Sequence, residues 1–132
     1  MGDLTRNISR HEVACKCGCG KDTIDYELVE IVQSLVDWFQ NQSGAQMFLK
    51  INSGNRCERH NAAERGEPKS LHLQGRALDF YLVQKGGLVI SPPAVSSWLA
   101  AKYPNKYGIG WYNGFTHFDT RTGAPHRWDN RH

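Results

Sequence analysis

Two short stretches carry the residues best suited to chemistry: Ser70-Leu-His72-Leu-Gln-Gly75-Arg-Ala-Leu-Asp79-Phe80 and Phe115-Thr-His117-Phe-Asp119-Thr-Arg121. Side chains alternate faces along a strand. In the first stretch this sets Ala77, Asp79 and Tyr81 on one face and Leu78, Phe80 and Leu82 on the other. An aspartate among apolar strand residues is costly unless it is paired or bound to a cation. In the second, His117 and Asp119 share a face, with Thr116, Phe118 and Thr120 opposite. If the two strands are neighbours, Asp79 and His117 converge, and Gly75 lets the preceding loop fold His72 over the same point. Two imidazoles and one carboxylate form a zinc triad of the catalytic kind, whose fourth position is left for a water with its pKa lowered to about 7. The spacing also accommodates a plainer arrangement, with His72 in a capped loop, Asp79 satisfied by Arg76 and His117 in the core.

The elements that must position these residues are legible in outline. From Asp25 to about Gln40, Leu28, Ile31, Val32, Leu35 and Phe39 recur at helical spacing, with Asp25 as cap and Asn41 to Gly44 as stop. Met47 to Asn52 reads as a strand ended by Ser53-Gly54-Asn55, and residues 56–75 read as irregular, with a helical turn around His60 to Arg65. Ala77 to Val83 is a strand and Gly86-Gly87 a turn. Ser91-Pro92 opens a second helix carrying Val95, Trp98 and Leu99, which ends before Pro104. The glycine-broken Gly108 to Gly114 leads into a last strand from Phe115 to Thr120. This order predicts an α+β fold, a small and mostly antiparallel sheet with packed helices.

The chain has 132 residues, enough for one core, and the expectation is one domain over 1–132. Its 39% apolar and 22% charged residues suit a globular protein rather than a disordered one. A net charge of +3 without a clustered basic face argues against nucleic acid, and the short apolar runs argue against membrane insertion. Cys15, Cys17 and Cys19 are each separated by one residue, a poor match to common zinc spacings, and the fourth cysteine is Cys57. The expectation for them is free or partly paired thiols.

The motifs Ile51-Asn-Ser-Gly-Asn-Arg56-Cys-Glu-Arg-His60-Asn61, Ser70-Leu-His72 through Asp79, Gly108-Ile-Gly-Trp-Tyr112 and His117-Phe-Asp119-Thr-Arg121 occur in the order seen in the M15 family of zinc peptidases, which this chain resembles. That family includes bacterial D-alanyl-D-alanine carboxypeptidases and phage endolysins that cut peptidoglycan stem peptides. Ser9-Arg-His-Glu12 with Cys15-Lys-Cys-Gly-Cys19 is similar to the lead-in of phage-type members, and the resemblance runs from about Ile8 to Trp128. The stretch from Ser70 to Asp79 is also similar to the zinc site of hedgehog signalling domains. The resemblance implies one catalytic zinc ion held by His72, Asp79 and His117, with Arg56 as the cation that anchors substrate.

Many family members carry an acid three residues before the last ligand, as general base; here that residue is Gly114. Tyr112, Asp119 and His126 are the groups left to manage protons. Tyr112 would hydrogen-bond the tetrahedral intermediate, and Asp119, roughly 7 Å from His117 along the strand, would orient a ligand or pair with Arg121. The resemblance predicts a zinc-dependent, monomeric peptidase acting on peptidoglycan stem peptides or cross-links. The absence of a secretory signal in this sequence favours an endolysin, made in the cytoplasm and reaching the wall after phage-type release. The rival reading is a zinc-containing binding module, catalytically weak or inactive, for a wall peptide or protein partner.

Overall fold

The computed structural model describes residues 2–67 and 69–131. Four helices, α1 (Arg10–Val13), α2 (Tyr26–Ser43), α3 (Glu58–Ala63) and α4 (Pro92–Lys102), accompany six strands: β1 (Met47–Ser53), β2 (Ala77–Gln84), β3 (Leu88–Val89), β4 (Gly108–Trp111), β5 (Thr116–Asp119) and β6 (His126–Asp129). A 3₁₀ turn over Leu71–Gln74 precedes β2. The strands form one sheet in the order β1-β2-β5-β4-β6, with β3 paired to the end of β2. The architecture is α+β, as the element pattern predicts.

Helix α2 forms because its apolar positions recur on one face and both ends are capped. The Asp25 carboxylate accepts from the Leu28 amide, and Gly44 ends the helix in the left-handed conformation at φ +69°. The polar run before Gly44 does not stop the helix, as the sequence reading has it. Its last turn carries those residues, and only the glycine reverses the chain. Leu28, Val29, Val32, Leu35 and Val36 are buried and meet Leu78, Phe80 and Leu82 of β2 in a common core. Burying each such side chain contributes roughly 1.5–3 kcal/mol. Helix α4 packs on β4 and β5; its Ser96 hydroxyl donates to the Gly110 carbonyl at 3.2 Å.

Helix α1 and strands β3 and β4 are additional to the elements the sequence predicts. The helical turn expected around His60 to Arg65 is present as α3, shifted toward the N-terminus, and the 3₁₀ turn over Leu71–Gln74 is additional. A sixth strand, β6, closes the sheet and runs parallel to β4, so the sheet is antiparallel except at that edge. Trp38, on α2, is 40% exposed and pairs with Trp98 of α4 at a centroid distance of 5.7 Å.

Candidate functional site

The helix-covered face of β2 takes Leu78 and Phe80, so alternation sends Asp79 to the other face. Antiparallel pairing sets Asp79 opposite His117 on β5, and His117 in turn lies opposite Gly110 on β4. His72 arrives from the 3₁₀ turn, where the Ser70 hydroxyl accepts from its amide at 3.2 Å. Gly75, at φ +68°, then turns the chain into β2; a Cβ there would lie 2.2 Å from the Thr23 carbonyl. The outcome is the convergence that alternation predicts: ligand atoms of His72, Asp79 and His117 lie within 4.8 Å of one another.

Each imidazole is held from behind. His72 Nδ1 donates to the Gly54 carbonyl at 2.7 Å, and its Nε2 faces Asp79 Oδ2 at 3.3 Å. His117 turns Nδ1 to Asp79 Oδ1 at 2.8 Å and Nε2 to Asp119 Oδ2 at 2.7 Å. Asp119 is fully buried and gripped by Arg121 through two hydrogen bonds of 2.8 Å. Carboxylate or carbonyl partners behind ligating imidazoles are the usual support of a metal site. The donor set therefore fits a zinc ion: two nitrogens and one carboxylate aimed at a common point that opens onto a cleft.

Electrostatics follow from these contacts. Burial pushes Asp79 toward its neutral form, but hydrogen bonds from His117 and His72 outweigh it and hold the carboxyl well below the usual carboxylate range. Asp119 behaves alike, burial being overcome by Arg121 and then His117. Burial opposes charge on His117, yet its two carboxylate partners, Asp119 first, push the imidazole up to about 9. Arg76 does not satisfy Asp79, as the plainer reading has it; its guanidinium donates to the Thr120 carbonyl.

The cleft has a volume of about 900 Å³ and is lined by seven of the residues singled out in the sequence: Arg56, His72, Asp79, Tyr112, His117, Asp119 and His126. Arg56 Nη2 stands 3.6 Å from Asp79 Oδ2. Its other nitrogens are occupied, Nε by Ser53 Oγ at 2.9 Å and Nη1 by Asn61 Oδ1 at 3.2 Å. Asn61 thus braces the site from behind, whereas His60 turns to Glu64 at 3.6 Å. Tyr112 stacks on Phe115 at 4.2 Å and accepts from Trp128 Nε1 at 2.9 Å, keeping its own proton to donate. Asp119 sits behind His117 with both oxygens engaged, which suits positioning and not proton transfer from the cleft.

Sequence reasoning did not single out Arg65, Glu67 and Lys69, which also line the cleft. Trp128 forms another part of the wall, its indole 4.8 Å from the His117 ring. That seat requires Gly110, since a Cβ there would meet the indole at 2.7 Å. Gly110→Ala is therefore expected to displace Trp128 and to destabilise the fold by about 1–3 kcal/mol. Thermal unfolding followed by tryptophan fluorescence checks this; a wild-type Tm and spectrum would refute it.

No significant match was found among curated proteins or solved structures. A model of the peptidase M15 family matches residues 6–119, a span that contains His72, Asp79 and His117 together with Arg56 and Asp119. With most of the chain matched and its donor residues gathered at one cleft, the chain belongs to the peptidase M15 family.

Proposed function

We propose that this protein is a zinc-dependent peptidase that hydrolyses a peptide bond in peptidoglycan, in stem peptides or cross-links, in the manner of a phage or prophage endolysin. The observation that carries the reading is the convergence of His72, Asp79 and His117 beside an anchored Arg56 in one open cleft. His72 Nε2, His117 Nδ1 and an Asp79 oxygen would hold the ion. When bound, zinc supplies Lewis-acid polarisation of a carbonyl and a water acidic enough to ionise near neutral pH.

The chain's own residues do the rest. Arg56, fixed by Ser53 and Asn61, presents Nη2 to a substrate carboxylate or carbonyl as a charge-assisted donor. The Tyr112 hydroxyl is placed to donate to oxygen charge that develops during acyl transfer. Asp119 and Arg121 keep the His117 ring from rotating. Arg65 and Lys69 outnumber Glu67 on the cleft wall, a positive balance that suits the carboxylates of stem peptides. On this reading the protein is made in the cytoplasm and acts on the wall after phage-type release.

Gly114 favours a second reading. Open space surrounds it, so an acid would fit, yet the chain supplies none there. A zinc-containing module that binds wall peptide without turnover fits that substitution. Digestion of purified peptidoglycan with zinc-loaded protein, analysed by mass spectrometry beside a chelator control, separates the two. Loss of one alanine mass, release of stem peptides or splitting of dimers would each name the bond, and the chelator should suppress it. Zinc-loaded protein that yields no products would overturn the enzyme reading in favour of the binding module.

A further inference from the structure

The four cysteines take no part in the cleft chemistry, yet the fold gathers them. Cys15, Cys17 and Cys19 lie on the loop between α1 and α2, and Cys57 is the N-cap of α3. Their sulfurs stand 3.4 Å apart for Cys15–Cys17, 3.6 Å for Cys17–Cys57 and 3.8 Å for Cys15–Cys57. All four sulfurs lie within 4.8 Å of one another. Near-equal spacing among three sulfurs describes a cluster around a point, whereas disulfides would sort them into pairs. A tetrahedral zinc site with Zn–S of about 2.3 Å has sulfur–sulfur edges of about 3.8 Å.

Backbone contacts point the same way. The Cys57 amide donates to Cys15 Sγ at 3.4 Å, and the His60 amide donates to Cys57 Sγ at 3.4 Å. Amides aimed at sulfur stabilise the thiolate, the form that binds metal. In an extended chain, Cys15 and Cys19 would be about 13 Å apart. Gly18 and Gly20, at φ +83° and +89°, curl the loop instead. The Arg59 guanidinium lies beside Cys17, where it would offset the charge of a tetrathiolate ion.

We propose that Cys15, Cys17, Cys19 and Cys57 form a structural tetrathiolate site for a second zinc ion, separate from the His72–Asp79–His117 centre. On coordination each thiol gives its proton to solvent, and the metal keeps its oxidation state. The ion would staple the 15–21 loop to the segment that carries Arg56. That join is already reinforced by Lys21, whose ammonium donates to the Arg56 carbonyl at 3.3 Å and the Leu73 carbonyl at 2.8 Å. This inference does not depend on the peptidase reading.

Metal analysis of protein purified under reducing conditions tests it. Wild type is expected to carry two zinc ions per chain, and the His72→Ala/His117→Ala double variant one. Cobalt substitution should give intense sulfur-to-metal charge-transfer absorption in both proteins, with thiols that react with a disulfide reagent only after metal removal. Should the double variant fail to fold, the wild-type cobalt spectrum and thiol protection decide the matter. A spectrum without sulfur charge transfer, four freely reactive thiols in metal-loaded protein, or a disulfide between any two of the cysteines would overturn the proposal.

Discussion

Asp79→Asn is expected to remove one zinc ion per chain and to lower peptide hydrolysis by about 10⁴-fold or more, the scale on which one member of a catalytic unit acts. The carboxylate is the hub of the site: His117 reaches one oxygen at 2.8 Å, while His72 and Arg56 face the other at 3.3 and 3.6 Å. The amide keeps the shape and loses the charge. It presents a poorer donor to a divalent ion and leaves Arg56 and His117 without the anion they converge on. His72→Ala and His117→Ala should act alike on metal content, each deleting one donor. Metal analysis and turnover must fall together. A variant that loses zinc but retains near-wild-type hydrolysis would rule out this centre as the seat of catalysis.

Arg56→Ala is expected to lower kcat/KM by about 30- to 1,000-fold while the metal content stays that of wild type. Losing charge-assisted hydrogen bonds to an anionic or polarised oxygen costs about 2–4 kcal/mol, which corresponds to that range. Arg56→Lys should recover little of it. Lysine carries the charge on a flexible stem without the planar fork, and Ser53 and Asn61 are placed to hold a guanidinium's Nε and Nη1. The comparison separates two roles. An Arg56 that acts only by neutralising Asp79 would be replaced well by lysine and would change metal affinity when removed. An Arg56 that anchors substrate changes kinetics alone. Equal kcat/KM for wild type and Arg56→Ala would exclude the anchoring role.

Much of this site is legible before any coordinates because β2 and β5 obey a period of two with a clear apolar face. Leu78 and Phe80 announce the buried side, and Asp79 and His117 fall opposite by necessity. The α2 helix is legible for the same kind of reason. The strand β6 is not: His126, Arg127, Trp128 and Asp129 show no apolar alternation, and their pairing with β4 is a parallel, long-range contact that no local pattern encodes. The depth of Asp119 is also hidden. Alternation puts it on the His117 face, but the Cα spacing of about 7 Å conceals an imidazole that leans back to meet its carboxylate at 2.7 Å. The cysteine cluster escapes because a spacing rule treats the chain as its own ruler. Here two glycines bend the ruler, and Cys57, forty residues from Cys17, completes the set.

Four consecutive residues between β1 and α3 carry four separate tasks. The Gly54 carbonyl sets the His72 tautomer, and Asn55 ties the N-terminal segment through Val13 and Thr23. Arg56 faces the cleft, and Cys57 caps α3 and joins the sulfur cluster. A single inserted or deleted residue would throw all four out of phase at once, so this wall of the cleft has almost no room to diversify. The opposite wall is built differently. Thr122 and Ala124 flank Gly123 in an exposed turn between β5 and β6 that touches the cleft and supplies none of the three candidate metal ligands. Substitutions that alter which peptide is accepted are therefore expected to be tolerated on this bank of the cleft and not on the other, where each residue serves several contacts.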